Sequence, residues 1–579
     1  MSGDPQASLL TPEVVNSLIN LQYGIIGRTV STQSEPNTAG KFHFWLSRTA
    51  AETGTIEVGT IVVAYSDDGK DITFGTVDEL HSFGDAENFL ADFAAHRMGD
   101  AYTVPSPDAC DVVVGTCLVL RNISLKAKPV GRSRVYFPSR LGIRYAFGMV
   151  NATGKELYKG ASVPIGMYEN GDGTTVPICI DDDFLVGPEA AHLNVAGISG
   201  LACKTSAMQF CLKSLLWHTK KNVAAVIINV KSKDLLYVDQ LNTNLKSDQW
   251  SQDVYQDLGI PIEPFINARF FAPMHPQSRV STTSLRKLHT DGFCWDLQMI
   301  YEDLPSLFHA NDWDQETEGA WLLIREEIEK GKITSYIDML NWIDKLLSQS
   351  GLTAWPKGYP TATWQKMKGQ LKRFTHLYRG LVETNEEGVD IPWRRLRHEN
   401  LYVIDIQMLS EGGQKLVFGR VIRAVTQLLE TRSNNLDAVV VFVDELNKFA
   451  PASVRSPLKS SLVEVTARGR SLGLVLFGAE QFASAVEKEI VENSATFMFG
   501  RTETTELEAA NYGTLSDEVK SKLTLLPQGR LLVKFPKFPH PIFVKFPFPP
   551  SLPGDDFRED EYAKSQESAE RRPMASTRV

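Results

Sequence analysis

The stretch from Ala191 to Leu216, AHLNVAGISGLACKTSAMQFCLKSLL, constrains this chain more than any other. An apolar run, Leu185-Val186 and then Leu193 to Ala196, feeds a glycine-containing turn, Gly197-Ile198-Ser199-Gly200-Leu201-Ala202-Cys203. Lys204, Thr205 and Ser206 follow. Apolar residues then recur at helical spacing: Ala207, Met208, Phe210, Cys211, Leu212, Leu215 and Leu216. Strand, glycine turn, Lys-Thr and helix is the context that a phosphate-binding loop requires. Backbone N–H groups and the helix N-terminus face the anion, the Lys reaches the β- and γ-phosphates, and the Thr hydroxyl ligates Mg²⁺. Gly197, Ser199, Gly200, Leu201, Ala202, Cys203, Lys204, Thr205 and Ser206 are therefore the expected nucleotide contacts. The usual pattern has Gly directly before the Lys and another six residues before it. Cys203 and Ile198 hold those positions here, and the glycines fall at 197 and 200, so the loop reads as one residue longer. A plain turn with a surface lysine would share this local pattern, so the reading needs a second half.

That second half is Asp437-Ala-Val-Val-Val-Phe-Val-Asp444-Glu445, an apolar strand ending in two acids. In a P-loop NTPase the Asp holds the Mg²⁺ shell and the Glu polarises the attacking water. Such a strand is common by itself. Placed after Lys204-Thr205, with strands between, it predicts an ATP- and Mg²⁺-dependent P-loop hydrolase on an α/β core. The intervening strands are Val223 to Val230, an unbroken apolar run of the kind buried on both faces of a parallel sheet, then 265–273 and Leu401 to Asp405. A long helix is expected over Gln414–Thr431. Downstream, the strand LVLFGAEQ ends in Gln481, placed to sense the γ-phosphate. Arg468 and Arg470 precede that strand, and ATFMFGRTE offers another strand ending in Arg501. Arg470, then Arg468, then Arg501 are candidate arginine fingers for a neighbouring subunit's nucleotide, with a surface residue or helix cap as the plain alternative.

At 579 residues the chain is too long for one ordinary domain. Residues 1–21 read as a tail and a short amphipathic helix. Short Val/Ile/Thr/Phe runs between Gly, Asp and Asn turns make 22–185 an expected β-barrel, with a helical interruption near 85–98. The α/β core is expected over 186–279 and again over 393–550, split by an all-helical insertion at 280–392. An acid-rich tail, 551–579, reads as disordered. The balance of 60 basic against 70 acidic residues carries no global nucleic-acid footprint, so a DNA contact has to be local. The six cysteines show no CxxC pair, which fits reduced thiols in the cytoplasm. No secretory signal and no apolar run long enough to span a membrane are expected.

The order of parts, with VFVDELNKFAP, GRSLGLVLFGAEQ and FMFGRTE, resembles the HerA family of hexameric ATPases, relatives of the FtsK-type DNA pumps. The resemblance implies an N-terminal barrel like that of ATP synthase subunits, a RecA-like α/β P-loop core with a helical insertion, a homohexameric ring, and a C-terminal segment strapped across the neighbouring subunit. It also implies double-stranded DNA driven through the pore and a partner effector, a nuclease or a sirtuin-like NAD-consuming enzyme, as in anti-phage systems. Lys231, Lys233, Lys448, Arg455 and Lys459 are the basic residues that could face such a bore, by salt-sensitive phosphate contacts without sequence readout. A reading of a different class is an assembly scaffold whose nucleotide-bound ring gathers and activates the effector with little translocation. A non-hydrolysing Rossmann-type binder is disfavoured, since no GxGxxG follows a strand.

Overall fold

The computed structural model describes residues 10–84, 89–95, 98, 112–188, 191–308, 312–348, 355–384, 387–454 and 456–554. It separates into two compact units.

The first unit holds the described residues up to Asp181, the short piece Gly200–Ala202, and Phe497–Phe546. Its β-branched and aromatic runs become strands bounded by turn residues. They are β1 (Ile19–Asn20), β2 (Gly27–Val30), β3 (Lys41–Leu46), β4 (Ile61–Ser66), β5 (Ile72–Phe83), β6 (Val112–Asn122) and β7 (Ser133–Pro138). The order is β1-β7-β2-β3-β6-β5-β4, and β7 pairs with β4 as well as β2, so the sheet closes on itself. Phe42, Phe44, Val62, Val77, Val135 and Phe137 are buried together in its core. Four short helices accompany it: α1 (Pro12–Leu18), α2 (Arg48–Thr53), α3 (Phe89–Ala95) and α4 (Arg140–Ala146). Helix α1 stops short of the expected Leu21, because Ile19 turns extended to pair with Pro138.

Strands β8 (Ser162–Glu169) and β9 (Thr175–Asp181) form an antiparallel hairpin outside the closed sheet. Expected as part of the barrel's span, they instead pair with strands from the far end of the chain. That end contributes β18 (Thr496–Phe499), β19 (Arg530–Lys534) and β20 (Ile542–Lys545), with α14 (Asp517–Thr524) before β19. The order is β18-β19-β20-β8-β9, antiparallel throughout. The segments LLVKF and PIFVKF, expected to close the α/β core, therefore belong to the first unit. The proline-rich turn between them is too short for a parallel crossover and returns the chain as a hairpin.

The second unit holds Asp182–Ser199, Cys203–Thr496 and the described residues from Pro547. Its sheet comprises β10 (Leu193–Ala196), β11 (Val223–Asn229), β12 (Ala268–His275), β13 (Ser278–Thr282), β14 (Asp291–Phe293), β15 (Leu401–Asp405), β16 (Ala438–Asp444) and β17 (Leu474–Glu480). The order is β13-β12-β15-β11-β16-β17-β10, with β14 alongside β12. All these pairings are parallel except the β12–β13 hairpin. Every residue of β11, β16 and β17 is buried, as strands covered on both faces must be. Helices α5 (Lys204–His218), α6 (Gln249–Leu258), α11 (Glu411–Glu430), α12 (Pro457–Leu472) and α13 (Lys488–Glu492) connect the strands. Gly473 ends α12 in the left-handed region, φ +90°, where a Cβ would lie 2.1 Å from the Asp437 carbonyl oxygen.

Between β14 and β15 come α7 (Leu297–Ile300), α8 (Gln315–Glu329), α9 (Tyr336–Ser348) and α10 (Thr361–Leu377). Helix α10 packs against α8 and α9, and its buried Trp364 ring meets Trp342 of α9 edge-on with centroids 5.7 Å apart. The segment expected as all-helical also contains the end of β13, folded back on β12 by a turn at Pro276-Gln277, and the whole of β14, which pairs in parallel with β12. Residues 547–554 are held on the second unit rather than loose. Tyr255 Oη donates to the Phe548 carbonyl at 2.9 Å, Asn242 Nδ2 to Pro549 at 3.0 Å, and Leu552 N to Gln240 at 2.9 Å. Ser551 and Leu552 are buried, so the expected disorder does not begin at 551; the rest of that tail lies outside the described residues. No helix among the described residues is long and apolar enough to cross a membrane.

Candidate nucleotide site

Strand β17 stands between β10 and β16, and this order assembles the site. Register pairs Ala196 with Glu480, Ala479 with Asp444, and Val443 with Ile228. The C-terminal ends of β10, β17, β16 and β11 therefore lie side by side, carrying the glycine turn, Glu480-Gln481, Asp444-Glu445 and the loop of Lys231.

Helix α5 begins at Lys204, and its first carbonyl partner is Cys203, which accepts from Ala207 N at 3.0 Å. Cys203 is left-handed, φ +50° and ψ +37°. That conformation is why the usual pattern has glycine here: an L-residue with a Cβ pays roughly 1–2 kcal/mol for it. Gly200 is left-handed too, φ +79°, with open space beside it. Lys204 is 5% exposed, and its ammonium donates to the Gly197 carbonyl at 2.6 Å and to Ser199 Oγ at 3.4 Å. Burial pulls this ammonium below the ordinary lysine range, against the opposing charge of Asp444. Ser206 is half-buried on the first turn of α5, while Leu201 is half-buried and Ala202 buried in the turn.

Thr205 Oγ1 donates to Asp444 Oδ2 at 3.4 Å, joining the two halves of the site. Asp444 is 3% exposed and its Oδ1 has no hydrogen-bond partner among the described residues. An orphaned buried carboxylate oxygen beside a threonine hydroxyl is an oxygen donor set of the kind Mg²⁺ takes, so the residues fit the ion. Burial raises the Asp444 carboxyl above its usual value, and the ammonium of Lys231 counters it. Glu445 follows in the left-handed region, φ +68°. Strained non-glycine backbone of this kind gathers at functional sites.

Two residues gain a place that sequence reasoning did not give them. Glu480 ends β17 and is fully buried beside the turn, its carbonyl accepting from Gly197 N at 3.2 Å. The strand was expected to end in Gln481, one residue later, and a one-residue slip along a strand exchanges the two faces. Gln481 is the first residue past the strand and half-buried. The second residue is Lys231. Expected to face DNA, it forms an ion pair with Glu445 Oε1 at 2.5 Å and lies 3.7 Å from Asp444 Oδ2. Nothing in the local pattern NVKSKD reveals this, because the contact depends on β11 lying beside β16.

The other basic candidates scatter. Lys459 is 8% exposed, paired with Glu487 at 2.5 Å, and also donates to the Pro451 carbonyl. A bore-facing lysine would present its ammonium, so the chain's own carboxylate replaces that expected contact. Lys233 and Lys448 are half-buried, and Arg455 lies outside the described residues. Arg468 and the backbone of Arg470 sit in the last turn and a half of α12, which precedes β17 and so lies toward the opposite edge of the sheet. Seven strand residues span about 20 Å, beyond the reach of an arginine to its own Lys204. Arg468 pairs with Glu464 at 3.3 Å, largely in solvent. Arg501 follows β18, in the first unit.

No protein-family model and no curated protein matches the chain. Several solved structures are similar to part of the chain. VirB4 of Thermoanaerobacter pseudethanolicus gives a TM-score of 0.44 at 13% identity, over 68% of this chain and 98% of that one. The plasmid coupling protein TrwB in complex with ADP and Mg²⁺ gives 0.41 at 13% identity, over 66% and 89%. EssC (ATPases 2 and 3) from Geobacillus thermodenitrificans gives 0.29 at 11% identity, over 72% and 49%.

Proposed function

We propose that the chain is an ATPase that hydrolyses ATP at the ends of β10, β16 and β17. One observation carries this reading: Thr205, on the first turn of α5, meets Asp444 across the intervening strand, with Glu445 next in sequence. Loops that bind phosphate without hydrolysis have no need of that acid pair. The turn's N–H groups and the start of α5 bind the phosphates, and the Lys204 ammonium holds their β and γ oxygens. Thr205 and Asp444 would hold Mg²⁺, which when bound neutralises charge developing on the phosphates. Glu445 orients the attacking water and takes its proton on a carboxylate oxygen. Gln481, beside this pair, reports on the γ-phosphate.

The arginine that meets the transferring phosphoryl group comes from a neighbour in this reading, which fits a ring. From the resemblance to HerA ATPases we take that ring to be a cytoplasmic homohexamer. It moves double-stranded DNA for a partner effector, a nuclease or a sirtuin-like NAD-consuming enzyme, in anti-phage defence. The N-terminal closed sheet serves as the family's barrel, and residues 280–392 as its helical insertion. A specific observation favours the scaffold reading as a second one: Lys231 and Lys459, two of the five basic residues expected to face a bore, are paired with the chain's own carboxylates. DNA that speeds turnover supports the motor; turnover indifferent to DNA supports the scaffold.

The site itself is tested by Lys204→Ala. Turnover is expected to vanish in a protein whose far-ultraviolet circular dichroism is unchanged, since the ammonium bonds only to its own loop. Wild-type turnover in that variant would overturn the reading.

A further inference from the structure

We propose that Lys231 is the positioning residue for Glu445 in the hydrolytic step; the inference rests on Glu445 being the base. A glutamate carboxylate hangs on three rotatable bonds, and Glu445 is itself the left-handed residue just past the end of a strand, so local backbone alone does not aim its carboxylate. General-base catalysis depends on holding the acceptor oxygen within hydrogen-bond reach of the water. Lys231 supplies the missing constraint. Its ammonium donates to Glu445 Oε1 at 2.5 Å and leaves Oε2 for the water. It also stands 3.7 Å from Asp444 Oδ2, between the two carboxylates. Burial would lower the Lys231 ammonium, but Asp444 and Glu445 outweigh it and hold the group above the ordinary lysine range.

The root of this side chain is fixed as a positioning role requires. Asn229, fully buried at the end of β11, donates from Nδ2 to the Ser232 carbonyl at 3.2 Å and to Asp405 Oδ1 at 3.0 Å. Ser284 Oγ holds the other oxygen of Asp405 at 2.7 Å. Ser232 is itself left-handed, φ +51°, a strained residue kept in place by these bonds. On the other side, the Gly554 backbone packs so closely that a Cβ there would lie 1.9 Å from the Lys233 carbonyl oxygen. A lysine meant for a mobile polyanion needs none of this bracing. One meant to hold a carboxylate to within a fraction of an ångström does.

The test uses the full chain and measures steady-state ATP hydrolysis together with the dissociation constant of a fluorescent ATP analogue. Lys231→Met is expected to lower kcat at least tenfold while the analogue's dissociation constant stays within threefold, which also shows that the site is folded. Lys231→Arg regains part of the loss, because a guanidinium keeps a charge-assisted bond to the carboxylate. In a Glu445→Asp background the carboxylate is withdrawn from Lys231, so the same Met substitution costs less than threefold. Wild-type or raised kcat in Lys231→Met would overturn the proposal, as would a tenfold loss that persists undiminished in the Glu445→Asp background. Lys204→Ala separates the two levels. Turnover surviving Lys204→Ala sinks the nucleotide site altogether, whereas turnover lost there and intact in Lys231→Met sinks only the role of Lys231.

Discussion

Replacing Cys203 tests whether the left-handed residue before Lys204 limits this loop. The observed φ of +50° and ψ of +37° place an L-residue where Cβ crowds the following carbonyl, at a cost of roughly 1–2 kcal/mol. Glycine removes that cost but returns about 0.5–1 kcal/mol of chain entropy that folding must again remove. The net gain for Cys203→Gly is therefore on the order of 0.5–1 kcal/mol, or about two- to fivefold in an affinity that needs the loop in this shape. Cys203→Val works in the other direction, since a β-branched residue at positive φ is a true outlier and adds on the order of another 1 kcal/mol. Affinities for a fluorescent ATP analogue at saturating Mg²⁺ should therefore rank Gly over Cys over Val, with roughly 10- to 30-fold between the extremes. Circular dichroism of each variant checks that the fold is intact. Valine binding as tightly as glycine would refute the strain argument and mean that the loop changes shape when nucleotide binds.

Glu445→Gln keeps shape and loses the base, so turnover should fall by about 10² to 10⁴ with analogue binding retained; loss of binding would make Glu445 structural. Neither Arg470→Ala nor Lys204→Ala subunits should hydrolyse ATP alone. Mixing them should restore part of the activity, since a finger is worth about 10³ to 10⁵ in rate and mixed interfaces regain one intact pair. No recovery after verified subunit exchange would remove the trans role. Gly554→Ala forces a Cβ against the Lys233 carbonyl and should loosen the C-terminal seat by about 1–3 kcal/mol, read as faster limited proteolysis near residue 550. Unchanged proteolysis would show that the seat yields without cost.

The sequence by itself determined the parts that rest on local chemistry. An apolar run has little polar alternative to burial, so Val223 to Val230 was legible as a strand covered on both faces, and the runs ending at Asp444 and at Gln481 as further strands of the core, the last read one residue too long. A glycine turn followed by Lys-Thr at a helix start is likewise local, which is why Lys204 and Thr205 could be named as partners for Asp444 before any contact was known. Tertiary structure decided what depends on strand neighbours. That β17 intervenes between β10 and β16 put Glu480 beside the turn, and that β11 flanks β16 turned Lys231 from a supposed DNA contact into the partner of Glu445. It likewise sent β19 and β20 to the first unit and seated residues 547–554 on Asn242 and Tyr255. Periodicity reports which face of a strand is buried, but it carries no information about which strand lies next to it. Lateral order is set by long-range packing, and the identity of a catalytic residue's partner is a property of that order.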